Sequence, residues 1–156
     1  MALTGRDNWF EDFKVGDVMR HARGKTVTEM DNVMITNMVM NTADAHFDEH
    51  AMRSSDLPFK QRVVYGGITA SMVVGLAAQD TAENAVAEIG MDKIRLKSPV
   101  FHGDTLYAFS EVIETAPSER SDAGIVRFRH WGVNQHDEVV FEGERTVMVR
   151  RREVTA

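Results

Sequence analysis

The chain contains no cysteine, which excludes disulfide cross-links and thiolate chemistry. Its three prolines, at 58, 99 and 117, are too few and too scattered to mark an interdomain linker. Long apolar runs are also missing: the longest, 72–78, is far too short to cross a bilayer. The first residues carry no cationic stretch followed by an apolar one, so no secretory signal is expected. Positive charge is in deficit, with 18 Lys and Arg against 24 Asp and Glu, a net charge of −6. A protein that tracks nucleic-acid phosphates would normally be basic. No repeat and no low-complexity tract is visible. These absences lead to the expectation of a soluble, cytoplasmic protein with neither nucleic acid nor membrane as partner.

What is present fits one globular unit. The 156 residues are 43% hydrophobic and 27% charged, enough apolar material for a core without a staple. A single domain over 1–156 is expected, with its core at about 10–150. Residues 13–17 (FKVGD) read as a turn entering a short strand, and 25–28 alternate like a strand. Thr28 suits a helix N-cap, with Asp31 in the first turn. The apolar residues Val33, Met34, Ile35, Met38, Val39 and Met40 then predict an amphipathic helix to about residue 41. Residues 41–62 are polar and irregular, long enough to suggest a functional loop, with a helical turn at 48–53. Residues 68–79 are apolar nearly all round and predict the most buried helix. Residues 81–89 read as helical or irregular. The remainder alternates in strand-like stretches at 91–96, 105–114, 125–134 and 139–151, with turns at 102–104 and 135–137 and a polar hairpin loop at 117–124. Helices early and antiparallel strands late make an α+β protein, a sheet wrapped on one long helix.

Two segments carry candidate chemistry. In 41–50, His46 lies between Asp44 and Asp48 with Asn41 upstream; a histidine among carboxylates can be held in one tautomer and have its basicity tuned. On composition alone, solvated loop histidines at 46 and 50 are the plainer reading. Metal binding by His46, Asp48 and His50 would require an extended strand and further ligands. In 63–76 (VVYGGITASMVVGL), Gly66 and Gly67 open an apolar helix. Free N–H groups there can hold a carbonyl oxygen as it gains charge; a helix entry using glycine for conformation is the alternative.

Together with FKVGD, TVTEMD (26–31), NTADAHFDEHAM (41–52), IRLKSPVFHGDTLYAFSEV (94–112) and FEGERTVMVRR (141–151), these stretches resemble the MaoC-like dehydratase branch of the hot-dog superfamily over about 10–150. The resemblance implies a single hot-dog fold. It also implies reversible hydration of a 2-enoyl-CoA, or dehydration of a 3-hydroxyacyl-CoA, with no metal and no cofactor beyond the CoA of the substrate. By position, His46 matches the family histidine, Asp48 the aspartate after it, and Gly66 the oxyanion glycine. The family's other aspartate, five residues before the histidine, is replaced by Asn41, which can orient water but cannot take its proton; either Asp44 supplies the carboxylate from a shifted position, or His46 works with Asn41 as water holder, or the site has lost activity. The expected catalytic set is therefore Asn41, Asp44, His46 and Gly66. Asp48, Tyr65, Gly67 and Arg62 are the expected substrate contacts. The likeness of NTADAHF (41–47) and GLAAQDT (75–81) implies short branched or dicarboxylic acyl groups of the mesaconyl-CoA and β-methylmalyl-CoA kind. Arg62, Lys60 or Arg95 would then be available to a free carboxylate. A hot-dog thioesterase and a non-catalytic acyl-CoA-binding domain are the alternatives. The resemblance further implies a homodimer or a higher even-numbered homo-oligomer.

Overall fold

The computed structural model describes residues 8–152; the outer ends of the expected 1–156 domain lie outside the described residues. After a 3-10 turn at Phe10–Asp12, the chain forms β1 (Val18–Thr26), α1 (Glu29–Met38), the short helices α2 (Asp44–Phe47) and α3 (Glu49–Ser54), and the long α4 (Gly66–Ala82). Four strands follow: β2 (Ala85–Leu96), β3 (Thr105–Pro117), β4 (Ala123–Val133) and β5 (Val139–Arg150). The strands form one five-stranded sheet in the order β1-β3-β4-β5-β2, and every pairing is antiparallel. The sheet wraps α4, which is the hot-dog arrangement.

Alternation along β3, β4 and β5 puts Leu106, Ala108, Val112, Val126, Phe128, Val140, Val147 and Val149 inside. From α4, Ile68 and Val73 join Leu106, Ala108 and Val140 in one cluster, while Val112, Val126, Phe128, Val147 and Val149 form a second. Helix and sheet approach so closely that a Cβ at Gly132 would overlap the Val73 side chain. Full burial of each such side chain contributes roughly 1.5–3 kcal/mol.

Three expectations need correction. First, 81–89 is not helical throughout: α4 stops at Ala82 and β2 begins at Ala85. The expected stretch 91–96 is the second half of β2; the first half is hidden from the pattern because the pairing with β5 shifts register between Ala85 and Ala87 and again between Glu88 and Gly90, and each shift breaks the period of two. Second, apart from Ile35, which packs partly buried against the core, the apolar stripe of α1 does not face the core. Its buried residues are Asn32 and Thr36, while Met30, Met34, Met38 and Met40 are 54–82% exposed. Third, α1 ends at Met38, where Met40 turns to φ 60 and the Asn41 N–H donates to the Thr36 carbonyl at 2.9 Å. The helix start is as expected: the Asp31 N–H donates to Thr28 Oγ1 at 3.1 Å and the Thr28 N–H to Asp31 Oδ2 at 2.7 Å.

A buried polar chain runs beneath the second half of α4. His21 Nδ1 lies 2.5 Å from Asp80 Oδ2 and His21 Nε2 2.7 Å from Ser110 Oγ; Ser110 Oγ is in turn 2.7 Å from His130 Nδ1. The Asp80 carboxylate can only accept, and with the buried His21 ring neutral this sets the directions: His130 Nδ1–H donates to Ser110, Ser110 O–H to His21 Nε2, and His21 Nδ1–H to Asp80. This leaves His130 Nε2 as a bare buried lone pair without a partner. Burial, assisted by the positive Arg145 nearby, pushes the His130 imidazole down to about 3. Burial also lowers His21, against the opposing pull of Asp80.

Candidate active site

The site is built where the loop after α1 meets the start of α4. The loop forms α2 and α3 in succession, and Asp48 separates them by capping α3: its Oδ1 accepts the Ala51 N–H at 2.8 Å. The Val63 N–H donates to the Ala45 carbonyl at 2.9 Å, which ties α2 to the strand-like segment before α4. His46, half-buried in α2, donates from Nδ1 to the Val63 carbonyl at 2.8 Å. A carbonyl can only accept, so Nδ1 carries a proton, and in the neutral ring the lone pair is on Nε2. The ring of Tyr65 stands edge-on to that of His46, centroids 5.7 Å apart.

The first helical residues of α4 supply the other half. The N–H groups of Ile68 and Thr69 turn back to the Tyr65 carbonyl at 2.8 and 3.3 Å. Those of Gly66 and Gly67 have no acceptor among the described residues, as the opening N–H groups of a helix require. Neither glycine has positive φ, so conformation is not what demands glycine here. Space is: a Cβ at Gly66 would overlap Leu96, and one at Gly67 would lie 2.5 Å from the Tyr65 ring. His46, Gly66, Thr69, Leu96 and Phe59 line one cleft of about 320 Å³. A larger cleft of about 640 Å³ lies elsewhere along α4, between β1 and α1. Its carboxylate, Asp31, is occupied by the Thr28 cap and by Lys25 Nζ at 2.8 Å, so the acid–base chemistry belongs to the smaller cleft.

The structure thus brings His46, Tyr65, Gly66 and Gly67 together. Asn41 and Asp44 are near in sequence but are not among the residues lining the cleft. The Asn41 Oδ1 accepts the Ala43 N–H at 3.5 Å, and Asp44 is exposed at the start of α2. Arg62 is held by two carboxylates: Glu29, which it meets through Nη2, and Glu49, with Nε at 3.2 Å and the backbone N–H at 3.1 Å from Oε2. The Arg62 guanidinium lowers Glu29, and bonds from its N–H groups lower Glu49. A substrate carboxylate at Arg62 would compete with both. Among the described residues, no three His, Asp or Glu side chains converge as a metal set.

Sequence reading missed Asn32, wholly buried on α1. Its Oδ1 accepts the Tyr65 N–H at 3.1 Å, and its Nδ2 faces the Val63 carbonyl at 3.3 Å and His102 Nε2 at 3.0 Å. The available signal was an amide on the one face of α1 that turns inward.

Against known proteins, a family model described as mesaconyl-CoA hydratase matches residues 4–151. The chain is 33% identical over 161 residues to the β-methylmalyl-CoA dehydratase of Chloroflexus aurantiacus, an alignment covering 99% of this chain and 44% of that protein. It therefore spans less than half the length of this relative. The MaoC-like dehydratase of Rhodospirillum rubrum superposes with a TM-score of 0.81 at 25% identity, covering 94% of this chain and 99% of that one. A Mycobacterium tuberculosis protein described as having a double hotdog fold superposes with a TM-score of 0.84 at 20% identity, covering 96% of this chain and 46% of that one. At that identity the likeness speaks for the fold alone.

Proposed function

On the premise that the chain belongs to the mesaconyl-CoA hydratase family, we propose that it adds water reversibly across the double bond of a short branched or dicarboxylic 2-enoyl-CoA. One observation carries this reading: His46 has its Nδ1–H fixed on the Val63 carbonyl and its Nε2 free, in the same cleft as the unpaired N–H of Gly66. The thioester carbonyl accepts from Gly66, with Gly67 beside it. This draws electron density from the double bond and makes Cβ electrophilic. Water held at His46 Nε2 attacks Cβ and gives its proton to that nitrogen. The pair displaced from the double bond becomes an enolate whose oxygen rests on the Gly66 N–H. The His46 imidazolium, supported at Nδ1 by Val63, returns the proton to Cα. The products are an intact thioester and a 3-hydroxyl. A positioned base contributes roughly 10²–10⁴ in rate and an oxyanion donor roughly 10²–10³. No cofactor beyond the CoA of the substrate enters the scheme.

The dicarboxylic or branched preference rests on the names of the family and of the Chloroflexus relative. A non-catalytic acyl-CoA-binding role is favoured by one feature, that neither Asn41 nor Asp44 lines the cleft. The two readings separate in one experiment, which follows the absorbance of the conjugated enoyl thioester with crotonyl-CoA and mesaconyl-CoA while titrating free thiol. Loss of absorbance without thiol release supports the hydratase. Thiol release would mean a thioesterase, and binding without turnover the non-catalytic domain.

The functional unit is a pair of such domains, as a homodimer or a higher even-numbered assembly. Strand β2 ends the sheet with an unpaired edge, and Ile89, Met91, Ile94 and Leu96 on it are 43–57% exposed. An open apolar edge is a template for a second strand. No helix among the described residues is long and apolar enough to cross a membrane. A cytoplasmic setting agrees with a cysteine-free chain acting on acyl-CoA.

A further inference from the structure

The Asn32 side chain is fully buried, and its amide can be satisfied in only one orientation. Oδ1 must face the Tyr65 N–H, because a flipped amide would set donor against donor there and acceptor against acceptor at Val63. The two peptides it grips form the two halves of the site. The Val63 carbonyl is also the acceptor that holds His46 Nδ1. Tyr65 is the N-cap whose successor, Gly66, offers the free N–H. One side chain therefore fixes both the tautomer of the base and the entry angle of the oxyanion donor.

The second Nδ2 contact reaches outside the site, to His102 Nε2 at 3.0 Å, in the turn between β2 and β3. Asn32 can only donate at Nδ2, so His102 Nε2 must hold a lone pair. We infer that Asn32 is the positioning residue of the hydration site and that neutral His102 locks it, so that protonation of His102 loosens the grip on His46 and Gly66. A protonated Nε2 would put an N–H against the Asn32 N–H. Asn32 could answer only by turning its oxygen to His102 and giving up the Tyr65 and Val63 bonds. The charges acting on His102 are those of Arg62, Glu29 and Glu49, which are ion-paired with one another. Burial, the largest influence, and Arg62 favour the neutral ring, and the two glutamates oppose them. This inference rests on the hydratase reading for its kinetic consequence, though not for its structural one.

The test uses N32D, H102L and H102Q in the full chain. N32D keeps the acceptor for Tyr65 but loses both donations, and H102L removes the outer acceptor. H102Q places a carbonyl oxygen near the Nε2 position without a titrating group. The first readout is the ring-nitrogen NMR of His46 without substrate. The wild type should show Nδ1 protonated as a single tautomer, and N32D and H102L should show exchange between tautomers. The second readout is the pH profile. N32D should lose about tenfold or more in kcat, the scale of a buried hydrogen-bonding group left unmatched, with KM changed less than threefold. H102L should lose several-fold, and H102Q should recover most of that loss while lacking the acid-side inflection due to His102. A single unchanged His46 tautomer in both N32D and H102L, with kcat within twofold of wild type, would overturn the inference. If the wild type hydrates no enoyl-CoA, the functional reading fails, and the His46 spectrum of H102L still decides the positioning role.

Discussion

Acid should destabilise this fold through His130 before the bulk of its carboxylates matter. The imidazole is 1% exposed, and burial holds it down to about 3, against an ordinary value of 6.5. Unfolding releases the ring to water, where it binds a proton near pH 6.5. Between about pH 6.5 and 3 the unfolded chain therefore carries one proton more than the folded one. The resulting stability is fully present above pH 6.5 and is lost as pH falls through that window. The slope is ~1.4 kcal/mol per pH unit for one proton. The whole interval from 6.5 to about 3 amounts to ~5 kcal/mol, comparable with the 5–15 kcal/mol that typically holds a domain together. The perturbation is H130N, which keeps a donor towards Ser110 Oγ but cannot titrate. Urea unfolding of both proteins at intervals from pH 7.5 to 4 gives the difference in slope directly, because carboxylates common to both cancel. H130N should be less stable at pH 7, by about 1–3 kcal/mol for the altered buried network, and the gap should close as pH falls. A constant gap over the range would refute the argument, since it would mean that His130 is protonated in the folded state or is not sealed from water.

Three further outcomes follow from the site and its supports. H46Q should reduce kcat for enoyl-CoA hydration about 10²–10⁴-fold with the circular-dichroism melt little changed, since His46 is half-buried and its one bond is to a carbonyl that also has Asn32. G66A should either push Leu96 aside or tilt the start of α4, with a stability cost of about 1–3 kcal/mol. Leu96→Ala in the same chain should restore stability, read by urea unfolding. T28A should cost about 1 kcal/mol in that assay, because it removes the Thr28 Oγ1 acceptor of the capping box at α1; no loss would mean that tertiary packing holds the helix start.

Much of this arrangement was legible in the residues. Period-two alternation located β3, β4 and β5, and the apolar circumference of 68–79 located α4. The His46 and Gly66 segments were legible as a pair and lie in one cleft. The misreadings have physical causes. The first half of β2 was masked because register shifts at 85–87 and 88–90 break the alternation, while 91–96 was legible as strand. Helix α1 misled because, Ile35 apart, its apolar residues point outward while it buries Asn32 and Thr36, an inversion that no hydrophobic pattern can express. That inversion also concealed the amide that organises the site. The role of Arg62 as a tie between Glu29 and Glu49 depends on which chain segments meet, and local sequence does not encode it; the Asp48 cap, by contrast, is a local contact at the head of the helical turn expected at 48–53.

The measurement that bears most directly on the central claim is NMR of the product formed from crotonyl-CoA in deuterated water, wild type beside H46Q. The account predicts 3-hydroxybutyryl-CoA with its thioester intact and one deuterium at Cα in the wild type, and almost none of it in H46Q. Free CoA with crotonate, unreacted substrate, or equal product from both proteins would contradict it.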